Sequence, residues 1–365
     1  MKLNSLKTAT LLIPFVGITK LFDPSNYKSS VASDRLQIHP LLKALEKLNF
    51  KTNALSINVN HSLEELELIK AVDVCIISKI RSHSNVDKEK FAYFHSCCAL
   101  KMKRLGAKIL TIYSDNVCAS NDSDCELYKN LLFLSDTIIT PSKKLKDHAS
   151  KYSTNSANIF TINDPNQLRQ RPFRKIDKNQ TIKIIWFGNF SNLKYLISAL
   201  ELIDNKLTRL NSINLRIITS KIGIKYCESN LTHLLPRLKW SIRLLEWDIH
   251  NQPQQIESEL DKAHIALIPS DPNDPLKDGV SHNRLIDAIQ SGCISIASPM
   301  ESYYELSKIA LIGNNFSELL EKAILENTRL CEKYDSLREK HLARFSTNSN
   351  IQNWSKAIEA TLRQT

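Results

Sequence analysis

Two α/β domains in one chain, each a parallel sheet wrapped by helices on both faces, are what the sequence predicts. Apolar strand-like runs alternate with amphipathic helix-like runs across residues 1–162, and the alternation starts afresh across 182–313. Such alternation marks parallel strands joined by crossover helices. Between the two sets lies NDPNQLRQRPFRKIDKNQ, residues 163–180, with two prolines and little apolar text, which reads as a linker. The length of 365 residues suits two domains that each bury a core.

The first set opens on TLLIPFVG, a strand, and IHPLLKALEKLNF, a helix with Ile38, Leu41, Leu42, Leu45 and Leu48 on one face. ALSINV is a strand, SLEELELIK a helix and VDVCIIS a strand; DKEKFAYFHSCCALKMKRLG is a helix and AKILTIYS a strand. LYKNLLFLS, DTIITPS and KLKDHASKY complete the set as helix, strand and helix. The second set opens on the strand IKIIWFG and ends near IALIG. The tail NIQNWSKAIEATLRQ is helical, with Ile351, Trp354, Ile358 and Leu362 on one face.

Composition narrows the function. Hydrophobic content of 42% and charged content of 24% are those of a soluble globular protein. The start, MKLNSLKTATLLIPFVGITK, is basic and then apolar, but no small-x-small cleavage site succeeds it, so a first strand is the better reading than a signal peptide. No apolar run reaches the length of a transmembrane helix, and a cytoplasmic location is expected. The eight cysteines form no CxxC pair and lie mostly in apolar text, as buried reduced thiols would. His95, Cys97 and Cys98 lack metal-ligand spacing, and no metal is expected. Residues 1–180 hold 27 Lys+Arg against 17 Asp+Glu, whereas the remainder holds 22 against 21. The basic first half suits an acidic glycan, a lipid-linked acceptor or peripheral contact with an anionic membrane face, against the plain alternative of a solvated basic surface. No nucleic-acid-binding module is recognisable.

Glycine is scarce: seven residues, where average usage would give roughly 25. Three of them, Gly188, Gly279 and Gly292, fall around the most informative text. There is no GxGxxG and no GxxxxGK[ST], so dinucleotide and P-loop readings lose support. From Ile265 to Leu306 the chain reads as a buried strand, a polar loop, a short helix, a glycine stop and a second buried strand. Ser281 is expected to cap the helix and Gly292 to close it in the left-handed conformation. Lys277, His282, Asn283 and Arg284 gather cations and amide donors at the helix start, a ready anion site.

This segment resembles the donor-binding region of glycosyltransferases with the GT-B fold, family 4 above all. Pro269-Ser270 comes after the strand, Asp287-Ala288 stands where the second Glu-Ala of the family's Glu-x7-Glu motif falls, and Gly292 matches its glycine; the first glutamate falls at Gly279 and is missing. Gly188 ends a strand and Lys194 comes soon after, as in the family's diphosphate grip, with Asn189 in place of the usual arginine. The resemblance implies two Rossmann-like domains facing across a cleft, with the last helix crossing back to the first domain. The expected boundaries are 1–170 for the acceptor domain, 181–345 for the nucleotide-sugar domain and 346–365 for the crossing helix.

The resemblance also implies transfer of a sugar from a nucleotide-sugar donor, with retention and without metal or cofactor. Lys194, Lys277, Arg284 and the helix start would neutralise the departing diphosphate, and Asp287 would hold the donor ribose. Gly188, Asn189, Ser281, His282 and Asn283 complete the donor set. Asp115-Asn116, ending the strand KILTIYS, would face the acceptor with Arg35, and Asp115 is the catalytic candidate on that side. Each has a plain alternative: a surface lysine, a local Arg284–Asp287 pair, an Asx turn at Asp115, a helix-start decoration at Arg35. Asp122-Ser123-Asp124 is formally a DxD but reads as turn text. A degenerate GT-B protein that binds nucleotide or glycan without transfer is the rival, and a nucleotide-sugar epimerase a third reading.

Overall fold

A computed structural model describes residues 6–13, 20–23, 34–56, 66–67, 69–82, 87–203, 212–248 and 254–363. The chain divides into two compact units, the first formed by Met1–Pro165, Asp278–Ser281 and Phe345–Thr365, the second by Asn166–Lys277 and His282–Arg344.

The first unit holds a seven-stranded sheet: β1 (Lys7–Ile13), β2 (Lys20–Phe22), β3 (Phe50–Ser56), β4 (Val74–Ile77), β5 (Lys108–Ile112), β6 (Thr137–Thr140) and β7 (Asn158–Thr161), in the order β2-β3-β1-β4-β5-β6-β7. All neighbours are parallel except β2, which runs antiparallel to β3. The order reverses between β1 and β4, and ligands of open α/β sheets bind outside the carboxyl ends at such a point.

Among the described residues four helices alternate with these strands: α1 (His39–Lys47), α2 (Lys88–Arg104), α3 (Ser123–Leu134) and α4 (Lys143–Ser150). The starts of the last three are set by side-chain oxygens. Asp87 accepts from the Glu89 and Lys90 amides, Asp122 from Cys125 N, and Ser142 from Leu145 N. The Asp122-Ser123-Asp124 triplet is therefore a helix start, and Asp124 also accepts from Ser82 N at 3.2 Å. One boundary differs from expectation. Phe50, expected to end the helix, instead begins the strand Phe50–Ser56, because Asn49 reverses the chain at φ 57° and Phe50 then pairs with Lys7. The helix expected over SLEELELIK lies mostly outside the described residues.

The second unit holds six parallel strands: β8 (Ile182–Phe187), β9 (Ile213–Thr219), β10 (Ser241–Glu246), β11 (Ile265–Ile268), β12 (Ile294–Ala297) and β13 (Leu311–Ile312), ordered β10-β9-β8-β11-β12-β13. This is the doubly wound 3-2-1-4-5-6 order, with its switch point between β8 and β11. Its helices are α5 (Leu193–Glu201), α6 (Lys221–Leu231), α7 (Leu235–Leu238), α8 (Gln255–Leu260), α9 (Asn283–Gln290), α10 (Phe316–Leu325) and α11 (Asn327–Leu342).

The stretch read as a linker is a fixed part of this unit from Arg171 onward. Arg171 N donates to Gln290 O at 2.9 Å and Arg174 N to Gly292 O at 3.1 Å. The Arg174 guanidinium reaches the carbonyls of Leu260, Ala263 and Ser291 at 2.5–2.6 Å. A segment poor in apolar residues is thus held by charge-assisted hydrogen bonds to strand and helix ends.

The last helix, α12 (Thr347–Arg363), belongs to the first unit. Ile351, Trp354, Ala357 and Ile358 are buried in one core with Leu11 and Ile13 of β1 and Leu41 and Leu45 of α1. All eight cysteines are free thiols, seven of them buried. Among the described residues no helix is long and apolar enough to cross a membrane.

Candidate functional site

In the second unit the switch point is furnished by the ends of β8 and β11. Gly188 comes directly after β8, at φ +155°. Arg284, the second residue of α9, lies over it: a Cβ added at Gly188 would meet Arg284 Nη1 at 3.2 Å. Among the described residues that buried Nη1 makes no hydrogen bond of ordinary geometry, with the Tyr303 phenol as its neighbour. An orphaned buried donor costs about 1–3 kcal/mol, which an anion at the sheet's edge would return. Beside it the Tyr303 phenol is pushed up by burial, with the Arg284 guanidinium opposing.

Two lysines converge a few residues away. Lys194 stands 4.7 Å and Lys277 6.0 Å from the centroid of the Tyr195 ring. Tyr195 donates to Asp274 Oδ2 at 2.5 Å, and Lys194 Nζ lies 3.7 Å from the same oxygen. Burial raises the Asp274 carboxyl, but hydrogen bonds from Tyr195 and Leu276 N and the two lysines outweigh it, so Asp274 stays below the usual carboxylate range. Tyr195 and Asp274 were not legible as site residues, because a tyrosine on an amphipathic helix carries no motif. Their effect is to gather two flexible cations that sequence spacing places 83 positions apart.

The start of α9 differs from expectation. Ser281 does not cap it: the helix begins at Asn283, the N-cap position is His282, and no side chain caps the end. Ser281 Oγ instead donates to Asp164 Oδ2 at 2.5 Å within the first unit. Asn283 Oδ1 accepts from the Arg284 amide at 2.6 Å. His282 is 1% exposed, and burial holds it down at about 4, with Glu305 opposing and Arg344 adding. It is therefore neutral at pH 7 and adds no cation, contrary to the sequence reading. Gly292 does close α9 in the left-handed region, at φ +76°. Asp287 is 6% exposed and accepts from Gln167 N and Nε2 at 3.2 and 3.4 Å. Asn189 accepts from Ser191 N at 3.0 Å, capping the short turn before α5.

In the first unit Asp115 lies just past β5 and meets Lys79 Nζ at 2.5 Å and Arg81 at 3.6 Å. These two cations lie just past β4, at the switch point, and the signal for them was the Lys79-Ile80-Arg81 that directly follows VDVCIIS. Asn116 is buried and accepts from Tyr113 Oη at 3.0 Å. Nearby, buried Asp164 accepts from Gln37 Nε2 at 3.0 Å; burial raises its carboxyl against the hydrogen bonds from Ser281 and Gln37. Arg35 lies in the π-helical turn Asp34–Ile38; its side chain lies outside the described residues.

The buried histidines set an acid limit on stability. Burial lowers His95, His264 and His282 to about 4 each, below the roughly 6.5 of an unfolded chain. The unfolded state then binds more protons between these values, so stability is whole above about pH 6.5 and falls as pH drops toward 4. Each group can contribute up to about 1.4 kcal/mol per pH unit. Urea unfolding at pH 7.5, 6 and 5 is expected to show the decline; a flat profile would mean that these rings are not neutral when folded.

Against solved structures the chain aligns over nearly its full length. HepE from Anabaena, in complex with UDP-glucose, matches with TM-score 0.66 at 9% identity, over 96% of this chain and 99% of that one. The chain has the GT-B fold. A glycosyltransferase from Rickettsia africae matches with TM-score 0.61 at 15% identity, over 99% and 100%. A UDP-forming α,α-trehalose-phosphate synthase from Burkholderia xenovorans matches with TM-score 0.60 at 12% identity, over 98% of each chain. No protein-family model and no curated protein sequence matches.

Proposed function

We propose that this GT-B protein is a glycosyltransferase whose second unit binds a nucleotide-sugar donor. The observation that carries the reading is Arg284, whose buried Nη1 makes no hydrogen bond of ordinary geometry among the described residues, standing over Gly188 at the switch point of a doubly wound sheet. With Lys194 and Lys277 it supplies three cations against the carboxylates of Asp274 and Asp271 beside Tyr195. That surplus suits the diphosphate of the donor, and it would stabilise the charge that grows on the leaving group as the glycosidic bond breaks. The likeness to HepE, a structure in complex with UDP-glucose, makes UDP-sugars the first donors to try. Asp287 fits the ribose side of the site less directly, since Gln167 already uses its oxygens. Asp115 and Asn116, with Arg35, would lie on the acceptor side, and the sugar would be passed without metal or cofactor and with retention. Acidic or lipid-linked acceptors fit the basic first half.

A thermal-shift series with UDP, GDP, ADP and CMP and their sugar conjugates tests the donor site. A ligand at a hundredfold excess over its dissociation constant adds about 2.7 kcal/mol of apparent stability. A selective shift with one base is expected; no shift with any would remove the donor reading.

One observation favours a second reading, a nucleotide-binding protein without transfer. Gly279, where the family's first glutamate would fall, sits at φ +82°, and a Cβ there would lie 2.7 Å from Leu145 Cγ and 3.0 Å from Leu145 N. Its carbonyl also accepts from Ser142 Oγ at 2.7 Å. A glutamate cannot enter without moving backbone, so Gly279→Glu is expected to cost about 2–4 kcal/mol and to yield no gain of turnover. Urea unfolding and a donor-hydrolysis assay check both halves. A stable, faster variant would show that the position is open to the ordinary motif.

A further inference from the structure

A cavity of about 290 Å³ lies in the second unit among β13, α10 and α11, lined by residues between Tyr304 and Tyr334 and by none of the donor-site residues. Its floor is apolar and buried, with Leu311, Leu330 and Tyr334 at 8%, 3% and 2% exposure. Its rim is cationic: Lys322 from α10, and Arg329 and Lys333 from α11. Among the described residues no aspartate or glutamate lines it. Arg329 is paired with Glu326, but among the described residues Lys322 and Lys333 have no carboxylate partner.

Arg329 and Lys333 are spaced i, i+4 on α11, beside the row Leu330 and Tyr334 at the same spacing. Like charges at that spacing oppose helix stability, so stability alone does not favour them. The chain from residue 181 onward is close to neutral, with 22 cations against 21 acids, and this cavity is lined by three cations and no acid, with only Arg329 offset by a neighbouring carboxylate, Glu326.

We propose that this cavity binds a small amphiphilic anion: one oxyanion group held by Lys322, Arg329 and Lys333, on an aromatic or short branched apolar body seated on Leu330 and Tyr334. The volume is at the low end for ligand pockets, roughly 300–1,000 Å³, which limits the body to about one ring. β13 is the edge strand of its sheet, so the floor is reached from outside the sheet rather than through the donor site. The anion is either a free aryl or alkyl phosphate or the headgroup end of an anionic lipid, which share this chemistry.

Phenyl phosphate is the probe, titrated calorimetrically into the full chain. Saturable binding is expected, weakened at least tenfold in the Lys322→Glu/Lys333→Glu double variant and in Ser307→Trp, which blocks the rim without changing charge. All three positions are exposed, and an unaltered melting temperature verifies folding. The Arg284→Ala variant is expected to bind the probe as the unaltered protein does; a loss confined to Arg284→Ala would place the probe in the donor site and overturn the proposal. Inorganic phosphate binding as tightly as phenyl phosphate would also overturn it, because the apolar floor would then contribute nothing. Vesicles containing phosphatidic acid decide the source: competition with the probe assigns a lipid headgroup, and lack of competition assigns a soluble anion. Nucleotide binding is measured separately, so failure here leaves the donor reading untouched.

Discussion

Alanine at position 284 is expected to lower turnover by about two to three orders of magnitude while leaving the melting temperature within a few degrees. The magnitude is that of removing one preorganised group aimed at charge developing in a transition state. The guanidinium satisfies this description on three counts: it is the second residue of α9, it covers the backbone at Gly188, and among the described residues its buried Nη1 makes no hydrogen bond of ordinary geometry. Removing a group that is itself poorly satisfied when folded relieves a desolvation cost, so stability is not the term that suffers. Lysine at 284 keeps the charge but loses the planar fork, and is expected to recover only part of the rate. The measurement is kcat and KM for donor hydrolysis or transfer, with the nucleotide dissociation constant from the same preparations. Unaltered turnover in Arg284→Ala would remove Arg284 from the site.

Gly292→Ala should be the most destabilising single methyl in the second unit, by about 2–6 kcal/mol. Two costs add. A non-glycine residue held in the left-handed region costs about 1–3 kcal/mol, and φ here is +76°. The added Cβ would also fall 2.1 Å from Pro172 O, 2.8 Å from Pro172 C and 2.9 Å from Arg171 O. All three are backbone atoms, and the hydrogen bonds of Arg171 and Arg174 to Gln290 and Gly292 fix that backbone. Overpacking against atoms that cannot turn away costs a further 1–3 kcal/mol. Gly106 provides the control. Its φ is +91°, yet a Cβ there meets nothing within 4 Å, so Gly106→Ala should cost only about 1 kcal/mol. Urea denaturation of the two variants separates the backbone term from the packing term. Equal losses would show that the 171–174 segment yields.

Both positions show which parts of the molecule local text encodes. Gly292 was readable as a helix stop because a glycine between an amphipathic run and an apolar run has few other uses. That it also lies beneath Pro172 was not readable, since 120 residues separate the two. The same division runs through the proposed donor site. Gly188, Lys194, Lys277 and Arg284 were visible as a glycine and cations at strand ends and a helix start. Tyr195 and Asp274, which gather the lysines, carry no pattern of their own. His282 misled as a cation and Ser281 as a helix cap, because burial keeps His282 neutral and Asp164 takes the Ser281 hydroxyl.

By itself the sequence determined the alternation of strands and helices, the two sheets and the apolar face of α12, because periodicity is local and each period can bury only one kind of surface. It did not determine that Arg174 would make a polar linker part of the second unit, that Lys79 and Arg81 would meet Asp115, or that a glutamate at 279 has no room. Only the tertiary structure decided these, since each depends on atoms far apart in the chain whose approach is set by strand order, and strand order leaves no trace in the spacing of residues.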